Sequence, residues 1–413
     1  MWWENEFLKR VDHRLFLGGR PATEVAARFG TPLFVYSRRQ ILANYDRLVR
    51  AFDAPPPLKT SIFYAMKANP YPAILRLLRR RGASIDAVSP GEVEAARRAG
   101  FPAARILFTG TSVSAGDLRR VFGVDGVTVN IDALEQLELM REVLEKEFPG
   151  KRIRVSFRCN PGIGRGFNPQ VVTAGARSSD GTPIKFGIEE SRLPAAIERA
   201  LKFGFEPVGL HQHLGSGWTR EDFPVVRAAV DRLIRMAARL EKDKVPLQFL
   251  DFGGGIGPRY HSGQTLFPLD KYGAYIIRSI DAAGLGIKSI AVEPGKYLVA
   301  DAGALLVRVE YLKTSYGQLF ACVNAGTFTS LPRPAVYAGA HHEILDCERL
   351  GSRTAVPVTV AGNLCETGDV FGRNVPLPEP RRGDILAILH AGAYARSMAS
   401  NFNLREIPGE ILI

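Results

Sequence analysis

The chain predicts a (β/α)8 barrel followed by a C-terminal antiparallel β domain, an α/β class fold, and three observations carry that expectation. Eight short apolar runs rich in β residues recur over about the first three hundred residues, most of them separated by helix-length segments. After about Val299 the rhythm changes to apolar runs broken by Gly, Pro and Asn turns. The length, 413 residues with 46% hydrophobic and 23% charged, suffices for two domains and a large core.

The eight expected barrel strands are Ile62 to Met66, Ser84 to Val88, Ile106 to Thr109, Gly126 to Ile131, Ile153 to Cys159, Val208 to Leu214, Gln248 to Phe252 and Ser289 to Glu293. Eight parallel strands alternating with helices over roughly 250 residues are the barrel signature, and in that fold the chemistry sits at the C-terminal ends of the strands. The barrel is expected to cover 37–300. Residues 1–36 and 301–413 are expected to form the β domain, a β-sandwich or β-barrel with strands over Leu305 to Leu312, Leu319 to Asn324, Val356 to Ala361 and Ile385 to Leu389 and without long helices. No internal repeat or low-complexity tract interrupts this pattern.

Composition narrows the function classes. The net charge of +12 comes from dispersed basic residues, often in amphipathic helical runs such as Leu75 to Arg81 and Val225 to Lys242, so nucleic-acid binding is not expected. An anionic cofactor and substrate, or plain surface composition, account for the charge as well. No stretch approaches the roughly 18 apolar residues of a membrane span, and Met1-Trp2-Trp3-Glu4 does not open a secretory signal. No membrane association and a cytoplasmic location are therefore expected. Cys159, Cys322, Cys347 and Cys365 are widely separated, which argues against a disulfide framework or a zinc knuckle while leaving one of them free to be reactive.

The expected strand ends are rich in polar groups: Lys67, Asp86 with Ser89, Thr109, Asn130 with Asp132, Arg158 with Asn160, His211 with His213, Asp251 with Gly253, Gly254 and Gly255, and Glu293. An amine at the end of a buried strand is expensive to desolvate unless paired or used. Lys67 is thus a candidate for a Schiff base with a carbonyl compound or pyridoxal phosphate, the alternative being a lysine that snorkels into solvent. Gly253-Gly254-Gly255 after a strand lets backbone N–H groups cradle an anion such as phosphate, or simply forms a flexible turn. His211 and His213 fall on one side of an ideal strand. No third ligand has metal-like spacing, so no metal is expected; an imidazole against an aromatic cofactor ring, with Ser216 on its phosphate, fits the neighbouring glycines better. Glu293 would keep a pyridine nitrogen protonated, or else cap a helix or form an ion pair.

Over nearly its full length the chain resembles the barrel-fold pyridoxal-phosphate decarboxylases, which include diaminopimelate, ornithine and bacterial arginine decarboxylases. Tyr64-Ala65-Met66-Lys67-Ala68-Asn69 is similar to the family's cofactor-lysine strand, and His213-Leu214-Gly215-Ser216-Gly217 to the segment whose histidine stacks on the cofactor. Gly253-Gly254-Gly255 resembles the phosphate loop and Glu293-Pro294-Gly295 the segment that binds the pyridine nitrogen. Cys365-Glu366-Thr367-Gly368-Asp369 is similar to the catalytic-cysteine segment supplied by the partner subunit, and Gly392-Ala393-Tyr394 with Ser397 to Asn403 to the C-terminal signature, which sets Tyr394 near the cofactor. The resemblance implies an alanine-racemase-like two-domain architecture, pyridoxal 5'-phosphate as cofactor, and a homodimer with shared active sites. Lys67 and Cys365 are the implied catalytic groups, with Cys365, assisted by Lys67, returning a proton to Cα after carbon dioxide is lost.

Within the family, three features resemble the diaminopimelate-specific branch. Glu366 occupies the position that receives the distal amine, Arg333 and Tyr337 of Arg333-Pro334-Ala335-Val336-Tyr337 those that hold the distal carboxylate, and His341-His342-Glu343-Ile344 also fits. One departure stands out: Lys296 follows Glu293-Pro294-Gly295 where the family has arginine, and lysine cannot give the planar two-point grip of a guanidinium. The expected reaction is decarboxylation of meso-diaminopimelate to L-lysine, with Lys296, Arg333, Tyr337, Glu366 and Tyr394 binding substrate. Ornithine, lysine or arginine is the alternative substrate, and a racemase or a non-catalytic binding homologue the rival class.

Overall fold

Eight parallel strands close on themselves within the compact unit formed by Asp46–Gly257 and Thr265–Gly295; the computed structural model describes residues 1–413. The strands are β1 (Lys59–Ala65), β2 (Ser84–Ala87), β3 (Ile106–Phe108), β4 (Thr128–Ile131), β5 (Arg154–Asn160), β6 (Glu206–His211), β7 (Phe249–Asp251) and β8 (Ser289–Val292). Each pairs with the next, and β8 returns to β1 through the register Ser289↔Lys59 to Val292↔Ile62. Every position of β2 and β4 is buried, as expected where one face meets the barrel interior and the other the surrounding helices. The helix Phe223–Lys242 shows the complementary pattern, burying Val226, Ala229, Val230, Leu233, Ile234 and Ala237 on one stripe. Helix starts are fixed by capping: Ser114 and Asp117 form a reciprocal box, and Ser89 accepts the Glu92 N–H just ahead of Pro90.

At the C-terminal mouth most strands stop earlier than their apolar patterns suggest, whereas β4 ends at Ile131 as expected and β5 runs one residue further, to Asn160. Lys67 lies one turn beyond β1, in the short 3-10 helix Met66–Ala68, and β6 ends at His211 rather than at Leu214. The ladder gives the reason: His211 pairs with Asp251, the last residue of β7, and beyond it the neighbouring chain turns away into Gly253–Gly255. Thr109 and Asn130 also serve the scaffold. Asn130 Nδ2 donates to Thr109 Oγ1 at 3.1 Å, and Ser156 Oγ donates to Asn130 Oδ1, so this polar chain inside the barrel satisfies itself.

The second unit comprises Met1–Tyr45, Pro258–Gln264 and Lys296–Ile413. Its central strand, Gly303–Ser315, pairs antiparallel with Leu33–Tyr36, Gln318–Val323 and Ile385–Leu389. The expectation of a purely antiparallel sheet needs correcting. Gln318–Val323 runs parallel to Ala355–Ala361, and Gly409–Leu412 runs parallel to Leu33–Tyr36. Both partners are reached by long connections rather than hairpins, which is what parallel pairing demands. A small antiparallel sheet of Leu8–Val11, Arg14–Leu17 and Arg20–Pro21 contributes Leu8, Leu15 and Leu17 to a core shared with Leu306, Ala387 and Leu389. No helix is long and apolar enough to cross a membrane.

Close packing inside the barrel unit is testable at one glycine. A Cβ at Gly273, in the helix Leu269–Ala282, would lie 1.8 Å from the Ala51 carbonyl oxygen, whereas one at Gly286 would come no closer than 3.7 Å to the Glu241 carboxylate. Gly273→Ala is expected to lower stability by about 1–3 kcal/mol or more, and Gly286→Ala to stay within about 0.5 kcal/mol of the parent. Thermal unfolding midpoints check this, and equal midpoints for the two variants would contradict the packing argument.

Candidate active site

The mouth of the barrel gathers an amine, two imidazoles and three carboxyl groups. Lys67, its side chain 32% exposed, donates from Nζ to Oδ2 of the fully buried Asp86 at 2.8 Å, while Asp86 Oδ1 has no hydrogen-bond partner. Burial, together with the charge of Glu293, pushes the Asp86 carboxyl up from its ordinary range, and Lys67 opposes that rise. Glu293, directly after β8, accepts from His211 Nε2 at 3.1 Å through Oε2; its Oε1 is buried and has no partner. Burial would raise the Glu293 carboxyl, but His211 and the Lys67 amine outweigh it and hold the group at about 2. Asp251, between them in the ladder, is pushed well above its usual range by burial and by the charge of Glu293.

His213 is half-buried and departs from the strand geometry. The Gly254 N–H donates to its Nδ1 at 3.1 Å, which places the ring proton on Nε2. Burial, followed by the Lys67 charge, pushes this imidazole well below its usual range, so the ring is neutral. His211, Asp251 and Glu293 bring one potential ligand atom each within 4.8 Å of one another, a grouping that sequence spacing did not reveal. His213 is not among them, so the two histidines do not act as a pair.

The glycine loop after β7 is strapped on three sides. Asp251 Oδ1 accepts from Gly253 N at 2.8 Å, Gly253 O accepts from Glu293 N at 2.8 Å, and Gly255 O accepts from the Gly217 and Trp218 amides at 2.8 and 2.9 Å. The last pair ties it to the segment bearing Ser216. Side chains have no room here: a Cβ on Gly254 would sit 2.2 Å from the Glu293 carbonyl oxygen, and Gly253, at φ +68°, would meet the Gln212 carbonyl at the same distance.

The remaining candidates belong to the second unit. Lys296 is buried with its amine 5.6 Å from the ring of Tyr394, and burial followed by the Arg333 charge pushes it well below the usual lysine range. Arg333 is 2% exposed. Its guanidinium lies 4.4 Å over the Tyr260 ring, and Nη1 donates to His342 Nε2 at 3.4 Å. His342 in turn donates from Nδ1 to the Leu389 carbonyl at 2.8 Å, and burial keeps it neutral. Tyr337 closes the turn Arg333–Val336 by donating its N–H to the Arg333 carbonyl. Cys365 and Glu366 are exposed, and the Cys365 N–H donates to Asn403 Oδ1 at 2.8 Å. Tyr260 carried no sequence signal for its place against Arg333, because it arrives on a loop excursion with no periodicity; His342 was visible only as part of a histidine run.

Glu92 offers a pH handle beside this mouth. It sits in the first turn of the helix Pro90–Arg98, its Oε2 accepts from Val88 N at 2.8 Å, and burial pushes its carboxyl up to about 7. A raised carboxyl means that the folded chain retains a proton which the unfolded chain releases above its ordinary value of 4.5, so this group's contribution to stability falls as pH rises from there to about 7. Glu92→Gln should flatten that part of the stability profile. Urea midpoints at several pH values across the window check it, and an unchanged slope would contradict the assignment.

The chain is similar to known proteins along nearly its whole length. Residues 38–300 match the family model described as the pyridoxal-binding domain of pyridoxal-dependent decarboxylases. The diaminopimelate decarboxylase of Methanothermobacter thermautotrophicus is 41% identical over 97% of this chain and 90% of its own length. Among solved structures, the diaminopimelate decarboxylase of M. jannaschii in complex with L-lysine superposes with a TM-score of 0.90 at 31% identity, covering 100% of this chain and 94% of that one. The Helicobacter pylori enzyme complexed with L-lysine gives 0.85 at 30% identity, over 95% and 93% of the two chains. A family match across the whole barrel and a relative this similar along nearly the full length show that the chain belongs to the pyridoxal-dependent decarboxylases, alongside the diaminopimelate decarboxylases.

Proposed function

We propose that this chain binds pyridoxal 5'-phosphate and decarboxylates meso-diaminopimelate to L-lysine, the last step of lysine biosynthesis. The observation that carries the chemistry is Glu293, a buried carboxylate held ionised with one oxygen on His211 and the other without a partner. A buried charged oxygen lacking a donor is costly, and a protonated ring nitrogen is a partner that fits it. Lys67 would hold the cofactor through Nζ, neutral His213 would lie against its ring, and Ser216 with Gly253, Gly254 and Gly255 would take its phosphate. Tyr394 completes the proposed cofactor contacts. When bound, the cofactor supplies a sink for the electron pair left at Cα as the carboxylate departs.

The chain's own groups supply the rest. Asp86 orients the Lys67 amine, Glu293 maintains positive charge at the ring nitrogen, and Cys365 returns a proton to Cα. The exposure of Cys365 and Glu366 supports their delivery to a second copy in a homodimer with shared sites. Asn403, which accepts from Cys365, lies between Phe402 and Leu404, exposed by 43% and 90%, an apolar surface suited to cover by a partner.

The substrate rests on the family relatives and on Arg333. Two of the similar solved enzymes carry L-lysine, the product of diaminopimelate decarboxylation. Arg333 and Tyr337 would hold the distal carboxylate, Glu366 the distal amine, and Lys296 a point charge where the family has arginine. Lys296 is also the observation that favours a second reading, a decarboxylase of another diamino or basic acid such as ornithine, lysine or arginine.

Carbon dioxide release from a panel of diaminopimelate isomers, lysine, ornithine and arginine tests the substrate. Diaminopimelate should be preferred, and Lys67→Ala should lose both the visible absorbance of the bound cofactor and nearly all turnover. A charge-assisted hydrogen bond of about 1.5–3 kcal/mol means that Arg333→Ala should lower kcat/KM for diaminopimelate roughly 10- to 150-fold, with little effect on any lysine turnover. Preference for another acid would overturn the substrate.

The shared site has its own test. Mixing Lys67→Ala with Cys365→Ala protomers should restore part of the activity, since each mixed dimer contains one site carrying neither substitution. Mixed dimers that form and remain inactive would overturn this arrangement.

A further inference from the structure

Beside Glu293 lies a residue to which the family resemblance gives no role. His211 is the last residue of β6, completely buried, and its Nε2 meets Glu293 Oε2 at 3.1 Å. In the next strand its ladder partner is Asp251, another fully buried carboxyl, whose Oδ1 accepts the Gly253 N–H and whose Oδ2 has no partner. The three groups converge within 4.8 Å. Remove the imidazole and Glu293 loses the one hydrogen-bond donor it has, while the Asp251 carboxyl stays beside it.

We propose that His211 is a positioning residue for the cofactor's ring nitrogen: it donates to Glu293 Oε2, fixes that carboxylate in its rotamer against Asp251, and leaves Oε1 as the single oxygen presented to the ring. Asp251 has the complementary task. Its Oδ1 anchors the glycine loop while the carboxyl lies within 4.8 Å of both the imidazole and Glu293, so the proposed phosphate loop and the proposed nitrogen ligand share one strut. The inference rests on the proposed placement of Glu293 against the ring nitrogen and adds the group that makes that placement work. It also explains an otherwise expensive feature, since burying a histidine and two carboxyl groups together in a barrel mouth carries a desolvation cost that packing alone would avoid.

Three substitutions separate positioning from simple structural support. His211→Gln carries an amide N–H to about the reach of the imidazole Nε2, His211→Asn stops short of it, and His211→Phe fills the space without any donor. Each protein is reconstituted with pyridoxal phosphate labelled with 15N at the ring nitrogen, and the nitrogen resonance reports whether that atom carries its proton. The wild type and His211→Gln should show the protonated signal. His211→Asn and His211→Phe should still bind cofactor on Lys67, judged by visible absorbance, yet shift towards the unprotonated signal. Loss of one hydrogen bond to a charged group should lower kcat roughly 10- to 150-fold, with KM changed much less.

A protonated signal in both His211→Asn and His211→Phe would overturn the inference. If the phenylalanine variant does not fold, the Gln and Asn pair decides alone, and identical signals from those two would overturn it equally. Failure of the wild type itself to acquire visible absorbance with pyridoxal phosphate would instead remove the cofactor reading, so the two failures are told apart.

Discussion

A carboxylate buried at the closed mouth of a β-barrel cannot stay charged without partners, and much of the mouth is arranged around that constraint at Glu293. Burial alone would protonate it, and His211 with Lys67 reverses the outcome. The same field acts in the opposite direction on its neighbours. Asp86 and Asp251, equally buried, are pushed upward in part by the negative charge that Glu293 retains. Three carboxyl groups in one dry pocket are thereby sorted into one firm anion and two groups that give way to it, a division of acid and base roles set by environment rather than by residue type.

Holding such a division requires backbone that does not yield. The loop after β7 is fixed to Asp251, to the Glu293 amide and to the Gly217–Trp218 amides, so the segments carrying Ser216, the glycines and Glu293 move together or not at all. The second unit applies the same principle to a cation. Arg333 is buried between the Tyr260 ring and His342, whose neutral imidazole is oriented by the Leu389 carbonyl, so the guanidinium is aimed by groups that contribute no competing charge. Burial keeps His342 and the nearby His390 uncharged, so neither imidazole adds a positive charge beside Arg333.

The barrel was legible because its strands are buried on both faces and therefore read as uninterrupted apolar runs, a signal that survives without knowledge of their partners. Strand direction in the other unit was not. Val356 to Ala361 reads as a member of an antiparallel sheet and Gly409–Leu412 carries no strand signal of its own, and the path of the long connections makes both parallel to their neighbours. In the mouth, Lys67, His213 and Glu293 stood out as polar residues closing apolar runs. Asp86 and His211 stood out in the same way, but their pairing did not: Asp86 lies 19 residues from Lys67, and His211 lies 82 from Glu293. Alternation even set His211 and His213 side by side, whereas the end of the ladder at His211 sends one ring to Glu293 and the other to Gly254. Asn130 misled in the other direction, being polar at a strand end yet committed to Thr109 and Ser156.

The parallel pairing of Gly409–Leu412 with Leu33–Tyr36 has a consequence for how the chain is made. Leu33–Tyr36 sits between that strand and Gly303–Ser315, so a segment synthesised early must wait for two others that emerge roughly 270 and 375 residues later. All eight barrel strands have been synthesised by residue 292. Vectorial synthesis therefore lets the barrel close while Leu33–Tyr36, an apolar strand buried at all four positions in the finished protein, still has both edges open. The interval between those events is when this chain is most exposed to pairing with the wrong partner.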